Sequence, residues 1–463
     1  MKIKLNRVHK IIFILLLILI GLSIAYNSYT KKTDYNILLI SIDALRADHL
    51  GCYGYSRNTS PHIDAFAHNN LLFKNFFTVV PKTGPSMTTF FTGKYIQNHG
   101  VVSNPLRRNP IIKTLPQLLP KRYVRAGFVT NLTLNAERGY ADGFDEYTIL
   151  DGQKTLTSKA IQWLGDNGIR SKFFLWVHYI DPHGPYTPPD EFHEIFVNDR
   201  YYNASKKVAL DYTPIKGINE NYILGAVPKY QRLGDIDEVD YYIAQYDAEI
   251  KYTDSEIGKL LHYIEAKNLT QNTIIIITAD HGESLDENNY YFEHGMLVNE
   301  GSIHIPLIIS HPDVKRPCEI NSLLQNTDLA PTILNQCKVK FPTAIDGIDF
   351  SQLFLAQQKS AIQVRNFIYS CTPHEYLSFF ETIRTSTDKL IRKNENSYSF
   401  YDIRNDSRET KDLYLNASKT TSNLIEKRIG EIKNFGVHYV RSGIEPKLSK
   451  EQLEKLKTLG YVQ

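Results

Sequence analysis

The clearest hydrophobic pattern in this chain is a set of short apolar runs, each followed by polar residues. Thr273–Ser284 reads T-I-I-I-I-T-A-D-H-G-E-S, Tyr35–Ile42 reads Y-N-I-L-L-I-S-I, and Ile305–Ser310 is a third apolar run. Runs that are apolar on both faces are typical of central strands in a parallel sheet. Tyr241–Asn268 carries apolar residues at helical spacing and predicts a long amphipathic helix. Helices that alternate with buried strands predict an α/β fold with a doubly wound, mainly parallel sheet.

Acidic and imidazole side chains follow two of these strands at the point where the apolar run stops. Asp43 comes directly after Tyr35–Ile42, and Asp280 and His281 come after the isoleucine run. The carboxyl ends of parallel strands line the ligand crevice of such a sheet. Because two carboxylates held together would repel each other, their placement suggests a shared metal ion. Two other interpretations stay open: Asp43 as a helix N-cap, and D-H-G-E as a polar turn.

A hydroxyl group precedes a predicted helix in the segment Val79–Tyr95, V-V-P-K-T-G-P-S-M-T-T-F-F-T-G-K-Y. Pro85 fits the first position of a helix that covers Ser86–Phe91 and ends at Gly93. Thr83 then lies just before the N-terminus, where free N–H groups and the helix dipole favour an oxyanion. Beside a metal ion such a hydroxyl is a candidate nucleophile, and the alternative is that it only caps the helix.

The N-terminal segment differs in character from the rest of the chain. Residues 1–33 hold six basic side chains and no acidic one, and Ile11–Tyr26 is nearly all apolar. The apolar run is close to the lower limit for crossing a bilayer, which is about 17 residues. We therefore predict a membrane helix that anchors the chain, with the catalytic part outside the cytoplasm. Because Ser23-Ile24-Ala25 resembles a cleavage site, the alternative is a removed signal peptide and a secreted protein.

Composition narrows the classes of function. The chain has 463 residues and a net charge of +3, and its basic N-terminal segment accounts for more than this excess. The remainder is slightly acidic, which argues against a nucleic-acid partner. The four cysteines show no C-x-x-C spacing, so neither a zinc site nor a disulfide framework is predicted from them. One Cys318–Cys337 bridge stays open.

The patterns also suggest how the chain is divided. We predict an N-terminal signal-anchor segment at 1–34, a catalytic α/β domain at 35–365 and a smaller C-terminal α+β subdomain at 366–463. Thr382–Lys393 and Ser397–Ile403 are predicted strands of the smaller unit. Residues 187–240 are rich in Tyr, Pro, Asn and charged side chains, and we interpret them as an insertion over the mouth of the active site.

Six motifs follow one another along the chain. They are I-D-A-L-R-A-D-H-L-G-C-Y-G at 42–54, T-G-P-S-M-T-T-F-F-T-G at 83–93, H-Y-I-D-P-H-G-P-Y at 178–186, Y-D-A-E-I-K-Y-T-D-S-E-I-G at 246–258, T-A-D-H-G-E-S at 278–284 and Q-N-T-D-L-A-P-T-I-L at 325–334. In this order they resemble the sulfatase-like branch of the alkaline phosphatase superfamily. The resemblance covers nearly all of residues 35–463 and implies an alkaline phosphatase-like fold that acts on phosphoric or sulfuric esters.

The resemblance implies roles for individual residues around a single metal ion. Asp43, Asp280 and His281 match positions that bind the metal. Thr83 matches the position of the nucleophile, whose oxygen also contacts the metal.

Three histidines are considered separately. By the same resemblance, His183 in D-P-H-G-P-Y and His294 in Y-F-E-H-G match positions that contact the transferred group or the leaving oxygen. His178 lies within the apolar run F-F-L-W-V-H-Y-I, where a core histidine is an equally good interpretation.

The chain departs from family sulfatases at the nucleophile. Those enzymes carry Cys or Ser in the pattern C/S-x-P-S-R, which is oxidised to formylglycine, whereas this chain reads T-G-P-S-M at 83–87. The family's G-K-W-H pattern is also missing, and Val129–Leu132 stands near its place. Formylglycine releases sulfate through a second hydroxyl, which threonine lacks, whereas a phosphorylated threonine is displaced by water or an alcohol. The chemistry therefore leans towards phosphate esters, and the phosphoethanolamine and phosphoglycerol transferases, which use a Thr nucleophile, look similar.

We therefore expect a metal-dependent hydrolase of phosphate or sulfate esters that works through a covalent Thr83 intermediate. Mixed carboxylate and imidazole ligands favour Zn or Mn as the divalent ion, with Ca also possible. The expected substrate is an ester of a small molecule, a glycan or a lipid. Two alternatives stay open: a transferase that moves a phospho-group onto a glycan or lipid, and a non-catalytic binding protein on the same fold. The single anchor helix weighs against the transferase.

Overall fold

The computed structural model describes residues 34–168, 170–211, 224–314, 316–340, 345–355, 363–372, 380–394 and 396–435. The predicted membrane helix at 11–26 lies outside these residues. None of the helices in the described ranges combines the length and the apolar content that crossing a bilayer requires.

The described elements are strands and helices in alternation, followed by a group of strands near the C-terminus. The strands are β1 Asn36–Ile42, β2 Leu71–Phe73, β3 Phe76–Phe77, β4 Tyr123–Val129, β5 Glu146–Ile149, β6 Lys172–Tyr179, β7 Thr273–Ala279, β8 Leu307–Ser310, β9 Cys318–Ile320, β10 Leu324–Gln325, β11 Ile368–Cys371, β12 Glu381–Arg384, β13 Lys389–Asn394 and β14 Ser397–Tyr401. The α-helices are α1 Pro61–His68, α2 Thr83–Thr92, α3 Ile96–His99, α4 Leu115–Leu118, α5 Gln153–Asn167, α6 Val239–Ala266, α7 Glu300–Ile303, α8 Leu329–Gln336, α9 Gln352–Leu355 and α10 Lys419–Phe435.

Eight strands form one large sheet in the order β5-β4-β6-β1-β7-β8-β2-β9. Among them β8 pairs antiparallel with both of its neighbours, and the other pairings are parallel. The predicted α/β fold with a mainly parallel sheet is therefore confirmed. The third apolar run forms a strand only over Leu307–Ser310, and that strand runs against the direction of the rest.

The central strands β1 and β7 are buried along their whole length. They pair in parallel from Asn36↔Thr273 to Ile42↔Ala279. Their aliphatic side chains enter the main hydrophobic core from both faces of the sheet. This double burial explains why both runs are apolar without alternation.

Helices cover the sheet and fix the segments between strands. The predicted helix at 241–268 is observed as α6, Val239–Ala266, which packs against α5 and α1. The shorter helix α2 is buried at every residue from Thr83 to Thr92 and ends at Gly93, whose φ of 62° is left-handed. A helix with no exposed face is a rigid support for the residue at its N-terminus.

The C-terminal part contains a four-stranded antiparallel sheet in the order β11-β12-β13-β14, with α10 packed against it. The predicted smaller antiparallel unit is thus confirmed. The single strand predicted over Thr382–Lys393 is wrong, because the chain turns between β12 and β13. Thr385 Oγ1 accepts hydrogen bonds from the backbone N–H of Thr387 (3.2 Å) and Asp388 (3.0 Å), which is the local bonding that turns use.

The smaller sheet is bonded to the segment that leads into α2. Cys371 N donates to Val79 O (2.8 Å), and Ser370 Oγ donates to Thr78 O (2.6 Å). The four cysteines are free thiols, so the open possibility of a Cys318–Cys337 bridge is not realised.

Candidate active site

The paired strands β1 and β7 place two carboxylates side by side. Ile42 and Ala279 are in register at the carboxyl ends of the strands, so Asp43 and Asp280 follow at neighbouring positions. Both carboxylates are buried. Asp43 does not cap a helix, because the next helical turn begins only at Ala47. The structure therefore contradicts the N-cap interpretation of Asp43.

The turn after β7 packs against a neighbouring backbone segment. Gly282 N donates to Ser302 O (2.9 Å). A Cβ atom at Gly282 would lie 1.9 Å from Gly301 O, so any other residue would force the two segments apart. This close approach fixes the direction of the His281 side chain just before the glycine.

Helix α2 brings Thr83 to the same place. The helix begins at Thr83, so the prediction that it starts at Pro85 is wrong by two residues, since proline is also tolerated within the first turn. Lys82 occupies the N-cap position, and no side chain caps the helix. Thr83 Oγ1 instead lies 3.3 Å from His281 Nε2. The hydroxyl thus points into the site rather than back to its own helix.

Hydrogen bonds to neighbouring segments hold the first turn of α2. Ser86 Oγ donates to Asp280 O (2.6 Å), Gly84 N donates to Asn104 Oδ1 (2.8 Å), and Tyr140 Oη donates to Gly84 O (2.8 Å). The Gly84 N–H is therefore already used, which corrects the expectation that the N–H groups at this helix end are free. What the turn provides is a fixed position for the Thr83 oxygen.

The imidazole of His281 faces both carboxylates. Its Nε2 lies 3.4 Å from Asp43 Oδ1 and 3.5 Å from Asp280 Oδ2. Its Nδ1 lies 2.8 Å from Gly282 O and must donate to it, because a carbonyl only accepts. Burial lowers the pKa of His281 well below its ordinary value, so the ring is neutral and Nε2 carries a lone pair.

A cation fits the point where these atoms converge. Asp43 Oδ1 and Asp280 Oδ2 are buried and have no hydrogen-bond partner among the residues that the structure describes. Together with the His281 lone pair they form a cluster of acceptors without a donor from the protein, apart from the Thr83 hydroxyl. Such a cluster is repulsive unless a positive ion is shared. The donor set of carboxylate and imidazole is one that divalent metal ions bind.

A second imidazole, from His178 on β6, also reaches Asp43. Its Nε2 lies 3.4 Å from Asp43 Oδ2, and its Nδ1 lies 2.8 Å from Ser41 Oγ. Asp43, His178 and Asp280 each offer one ligand atom, and the three atoms lie within 4.8 Å of one another. Asn131, which follows β4, donates its amide to Asp43 Oδ2. From the sequence alone, His178 could be either a core residue or a residue of the site, and Asn131 was given no role.

The electrostatics of the two carboxylates differ. Burial raises the pKa of Asp280 well above its ordinary value, and the charge of Asp43 raises it further. Burial also acts to raise the pKa of Asp43, but the hydrogen bond from His178 and the nearby His183 and His281 hold it below the ordinary range. Without a cation the pair therefore keeps one negative charge on Asp43, while Asp280 resists ionisation.

His183 and His294 lie beside this cluster. The His294 ring centroid is 4.2 Å from that of His281 and 5.0 Å from that of His183. His183 Nδ1 donates to Gly184 O (2.9 Å). His294 Nδ1 lies 3.1 Å from Glu283 Oε1, and the side chain of His294 is 7% exposed. His294 is thus almost completely buried beside the other two rings.

Glu283 was not singled out from the sequence, although it belongs to D-H-G-E. Its side chain is fully buried. Burial raises the pKa of Glu283 to about 8 and lowers that of His294 to about 4. A carboxyl group that bonds one ring nitrogen fixes the orientation of the other, as in many histidine sites.

The structure brings the six residues predicted for the site into one cluster. They are Asp43, Thr83, His183, Asp280, His281 and His294. Their roles in catalysis and metal binding stay predictions. The residues that the sequence reasoning missed or left open are His178, Asn131 and Glu283.

A sequence model described as Sulfatase matches residues 35–339. The chain belongs to the sulfatase family. Residues 287–434 also match a family described as N-sulphoglucosamine sulphohydrolase, C-terminal. The enzyme class is therefore that of a sulfatase-family hydrolase, a family whose members cleave sulfate esters.

Several known proteins resemble this sulfatase-family chain over most of its length. An N-acetylglucosamine-6-O-sulfatase of Bacteroides thetaiotaomicron is 24% identical over 86% of this chain and 87% of its own. A structure solved in complex with its substrate D-glucosamine-2-N,6-O-disulfate has a TM-score of 0.70 at 22% identity, covering 87% of this chain and 99% of that one. A phosphonate monoester hydrolase of Agrobacterium radiobacter has a TM-score of 0.68 at 18% identity, covering 87% and 94%. At these identities the structural likeness establishes the fold.

Two residues of the α2 segment of this sulfatase-family chain bear on how an anionic ester could be bound. Met87, in the segment T-G-P-S-M, is fully buried in the main hydrophobic core. A positive charge comes instead from Lys82, at the N-cap of α2. Its charge contributes to lowering the pKa of His294, after the larger effects of burial and of His183. Lys82 is thus a candidate for attracting an anionic ester to Thr83.

Proposed function

We propose that this chain hydrolyses phosphate or sulfate esters carried by sugars, with Thr83 as the covalent nucleophile. The observation that carries the proposal is the position of the Thr83 oxygen. It lies 3.3 Å from His281 Nε2 in a buried cluster that also contains two unpaired carboxylate oxygens. The Thr83 hydroxyl does not cap the helix, because it accepts no hydrogen bond from an N–H group of the helix.

The residues that would hold a divalent ion are Asp43, Asp280 and His281, with the Thr83 oxygen and His178 at the edge of the group. Mixed oxygen and nitrogen ligands favour Zn or Mn, and Ca is a third option. When bound, such an ion lowers the pKa of a hydroxyl and balances the charge of the transferred group.

The protein residues then perform the following parts of the reaction. The Thr83 oxygen forms a bond to phosphorus or sulfur while the bond to the leaving alcohol breaks. Lys82 and His183 offset negative charge on the transferred group. His294 hydrogen-bonds the leaving oxygen, which takes up a proton from solvent, and the proton of the Thr83 hydroxyl is released to solvent. Water then attacks the phosphorus or sulfur, which returns Thr83 to its free form. The rigid first turn of α2 keeps the nucleophile aligned in both steps.

Two lines of argument bear on the choice of ester. Threonine has no second hydroxyl through which a sulfate could be eliminated, so the covalent intermediate must be opened by attack at the central atom, which favours phosphate. The names of the relatives, an N-acetylglucosamine-6-O-sulfatase and a structure with a disulfated glucosamine, support a sugar as the ester-bearing group. A sugar phosphate or sugar sulfate satisfies both.

A panel of matched phosphate and sulfate esters, tested with each metal ion, tests the proposal. Purified protein is stripped with a chelator and reloaded separately with Zn, Mn or Ca. Turnover is then measured with para-nitrophenyl phosphate, bis(para-nitrophenyl) phosphate, para-nitrophenyl sulfate, N-acetylglucosamine 6-phosphate and N-acetylglucosamine 6-sulfate. We expect metal-dependent turnover of at least one ester, which the Thr83→Ala variant loses. Metal binding without turnover of any ester would contradict the hydrolase and favour a binding protein.

Adding glycerol, glucose or ethanolamine to the same reactions separates hydrolysis from transfer. A hydrolase releases free phosphate or sulfate in proportion to the alcohol product, whatever acceptor is added. A transferase forms an acceptor ester at the expense of the free anion. We also propose that the catalytic domain lies outside the cytoplasm. This location depends on the predicted N-terminal membrane segment.

A further inference from the structure

The short helix α7 supports the turn that follows β7, residues 280–284, which carries predicted metal ligands. Gly301 O accepts a hydrogen bond from Glu283 N (3.2 Å), and Ser302 O accepts one from Gly282 N (2.9 Å). Two successive peptide groups of the turn are thus bonded to two successive carbonyl groups of the helix. The position of the turn therefore depends on the position of α7.

The same stretch of backbone is packed closely against a buried arginine. A Cβ atom at Gly301 would lie 2.6 Å from Arg46 Nη1. The same Nη1 donates to Glu283 O (3.1 Å). Because protein interiors are close-packed, a displacement of α7 is not absorbed by empty space here. It moves the turn or the arginine that holds the turn.

Glu300, the first residue of α7, is held by two cations of the smaller C-terminal sheet. Lys389 Nζ lies 3.1 Å from Glu300 Oε1, and Arg384 Nη2 lies 3.2 Å from Glu300 Oε2. The side chain of Lys389 is fully buried, and those of Arg384 and Glu300 are nearly so. Burial acts to raise the pKa of Glu300, but the charges of Arg384 and Lys389 hold it at about 2. Glu300 is therefore ionised at neutral pH, and loss of a partner from such a buried pair is costly.

Glu409, which follows the smaller sheet in the chain, completes this charge cluster. Its Oε2 accepts a hydrogen bond from Glu300 N (2.9 Å), and its Oε1 lies 2.7 Å from Lys389 Nζ. The backbone of Glu409 has a φ of 56°, a left-handed conformation that is unfavourable for a residue with a side chain. The surrounding contacts offset this cost. The C-terminal part of the chain thus fixes both the side chain and the backbone of Glu300.

We propose that Glu300 is a positioning residue for the active site, through which the smaller C-terminal sheet fixes the turn that carries His281 and Glu283. The sheet holds the Glu300 carboxylate, the helix carries this constraint over one turn, and its carbonyl groups pass it to the peptide groups beside His281. Glu300 acts through the backbone of α7 and not on the reacting atoms. The alternative is that the charge cluster only joins the two sheets and adds stability. The catalytic consequence rests on the proposed function, whereas the effect on the turn does not.

Hydrogen exchange of backbone amides tests the positioning without any need for turnover. Glu300→Gln keeps an oxygen for one of the two cations and removes the charge. We expect exchange of the peptide that contains Gly282 and Glu283, measured by mass spectrometry, to become about 10-fold faster, because the hydrogen bonds to α7 open more often. In the metal-loaded enzyme kcat should fall about 10-fold while KM changes less than about twofold, because the reacting groups lose alignment and the groups that bind the ester are kept.

Arg392→Gln is the matched control in the same strand. Arg392 pairs with Glu381 of β12, and it lies on the opposite face of the sheet from Lys389, because side chains alternate along a strand. We expect this variant to lower the Tm but to leave both kcat and the exchange of the turn unchanged. If Glu300→Gln does not fold, Arg384→Gln replaces it, because the pairs of Lys389 stay in place, and it should show the same changes to a smaller extent.

The outcomes separate the positioning from the proposed hydrolysis. Unchanged exchange of the turn in the folded variant would overturn the inference, whether or not the wild type cleaves an ester. Equal acceleration in Arg392→Gln would also overturn it, because a general loss of stability would then explain the effect. If exchange accelerates only when Glu300 or Arg384 is changed, and the wild type cleaves no ester, the positioning stands and the proposed hydrolase fails.

Discussion

The expected reactivity of the Thr83 hydroxyl comes from the groups around it rather than from threonine itself. Threonine is a weak nucleophile, and the residue sits at the start of a helix, where hydroxyl groups usually cap. Here its oxygen faces His281 Nε2 at 3.3 Å, and behind that nitrogen lie two carboxylates with unpaired oxygens. The same three acceptors explain both why a cation should bind and why the hydroxyl should react.

Replacement of Asp280 tests whether a cation is shared, because the sign of the change in Tm depends on it. In the presence of a chelator at neutral pH, Asp280→Asn should raise the Tm, because burial, and then the charge of Asp43, raises the pKa of Asp280, and holding such a carboxyl group in the folded state costs stability above its unfolded pKa. With Zn or Mn added, the wild type should gain stability and the variant should not. Differential scanning calorimetry in both conditions measures this. The control is Asp349→Asn at an exposed position, which should respond to metal like the wild type. A lower Tm for Asp280→Asn in both conditions would argue against the cation site.

Glu283 is expected to orient His294. Glu283→Gln keeps an oxygen that accepts from His294 Nδ1, whereas Glu283→Leu does not. We expect the leucine variant to lose roughly 10- to 100-fold in kcat, the magnitude typical of groups that orient a functional side chain, while the glutamine variant retains most of it. Steady-state kinetics on the best ester of the panel measures this. If both variants lose kcat equally, or if only the Tm changes, Glu283 has a structural role alone.

At the scale of elements, the strands and the residues at their ends follow from local pattern. The apolar runs of β1 and β7 predict strands that are buried on both faces. Parallel pairing of these strands is then enough to place Asp43 and Asp280 at one edge of the sheet. The start of α2 was misplaced because proline fits several positions in a first turn. His178 could not be resolved, because a histidine in an apolar strand looks the same whether it fills the core or faces a metal. Its position beside Asp43 follows only from the pairing of β6 with β1.

The insertion at 187–240 is joined to the catalytic core by a buried arginine. Arg57 bonds Asp199 in the insertion through Nε (2.9 Å) and Asp247 in α6 through Nη1 (2.9 Å). On the other side, Tyr230 Oη donates to Glu293 Oε2 (2.9 Å), beside His294. These contacts support the interpretation that the insertion shapes the entrance to the site.

Arg57→Gln should loosen this insertion. The change leaves the buried Asp247 without its arginine partner, which we expect to cost about 3 kcal/mol of unfolding free energy. Cleavage between residues 190 and 211 by a low dose of protease should be faster, and kcat/KM should fall more for a sugar ester than for a para-nitrophenyl ester. The control is Lys207→Gln, which removes an exposed lysine paired with Asp237 and should leave stability unchanged. Equal proteolysis in the two variants would contradict the link.

At the scale of the whole molecule, two units meet at the segment before α2. The large sheet carries the carboxylates, and the smaller antiparallel sheet bonds Thr78 and Val79. The fold class and the presence of the smaller unit were predictable from alternating elements and from family motifs. How the units join was not, because those contacts link residues almost three hundred positions apart and leave no local pattern.

The N-terminal segment is predicted to determine where this molecule resides. Because residues 1–33 are basic and apolar, the full chain should sediment with membranes and resist extraction by salt and alkali. Deletion of residues 1–33 should release an active protein with unchanged kcat. Fractionation with an activity assay measures both. Expression of the full gene that yields, in the medium, a protein lacking this segment would favour the signal-peptide alternative.

The central claim is that the Thr83 oxygen becomes covalently bonded to the transferred group, and rapid-quench mass spectrometry tests it most directly. Metal-loaded protein is mixed with the best ester of the panel, quenched in acid within the first turnover and digested. We predict that the peptide containing Thr83 carries one phosphoryl or sulfuryl group, that Thr83→Ser carries the same group, and that Thr83→Ala carries none and loses at least roughly 1000-fold in kcat. Wild-type turnover without any modified Thr83 peptide, or near-normal turnover by Thr83→Ala, would contradict the account.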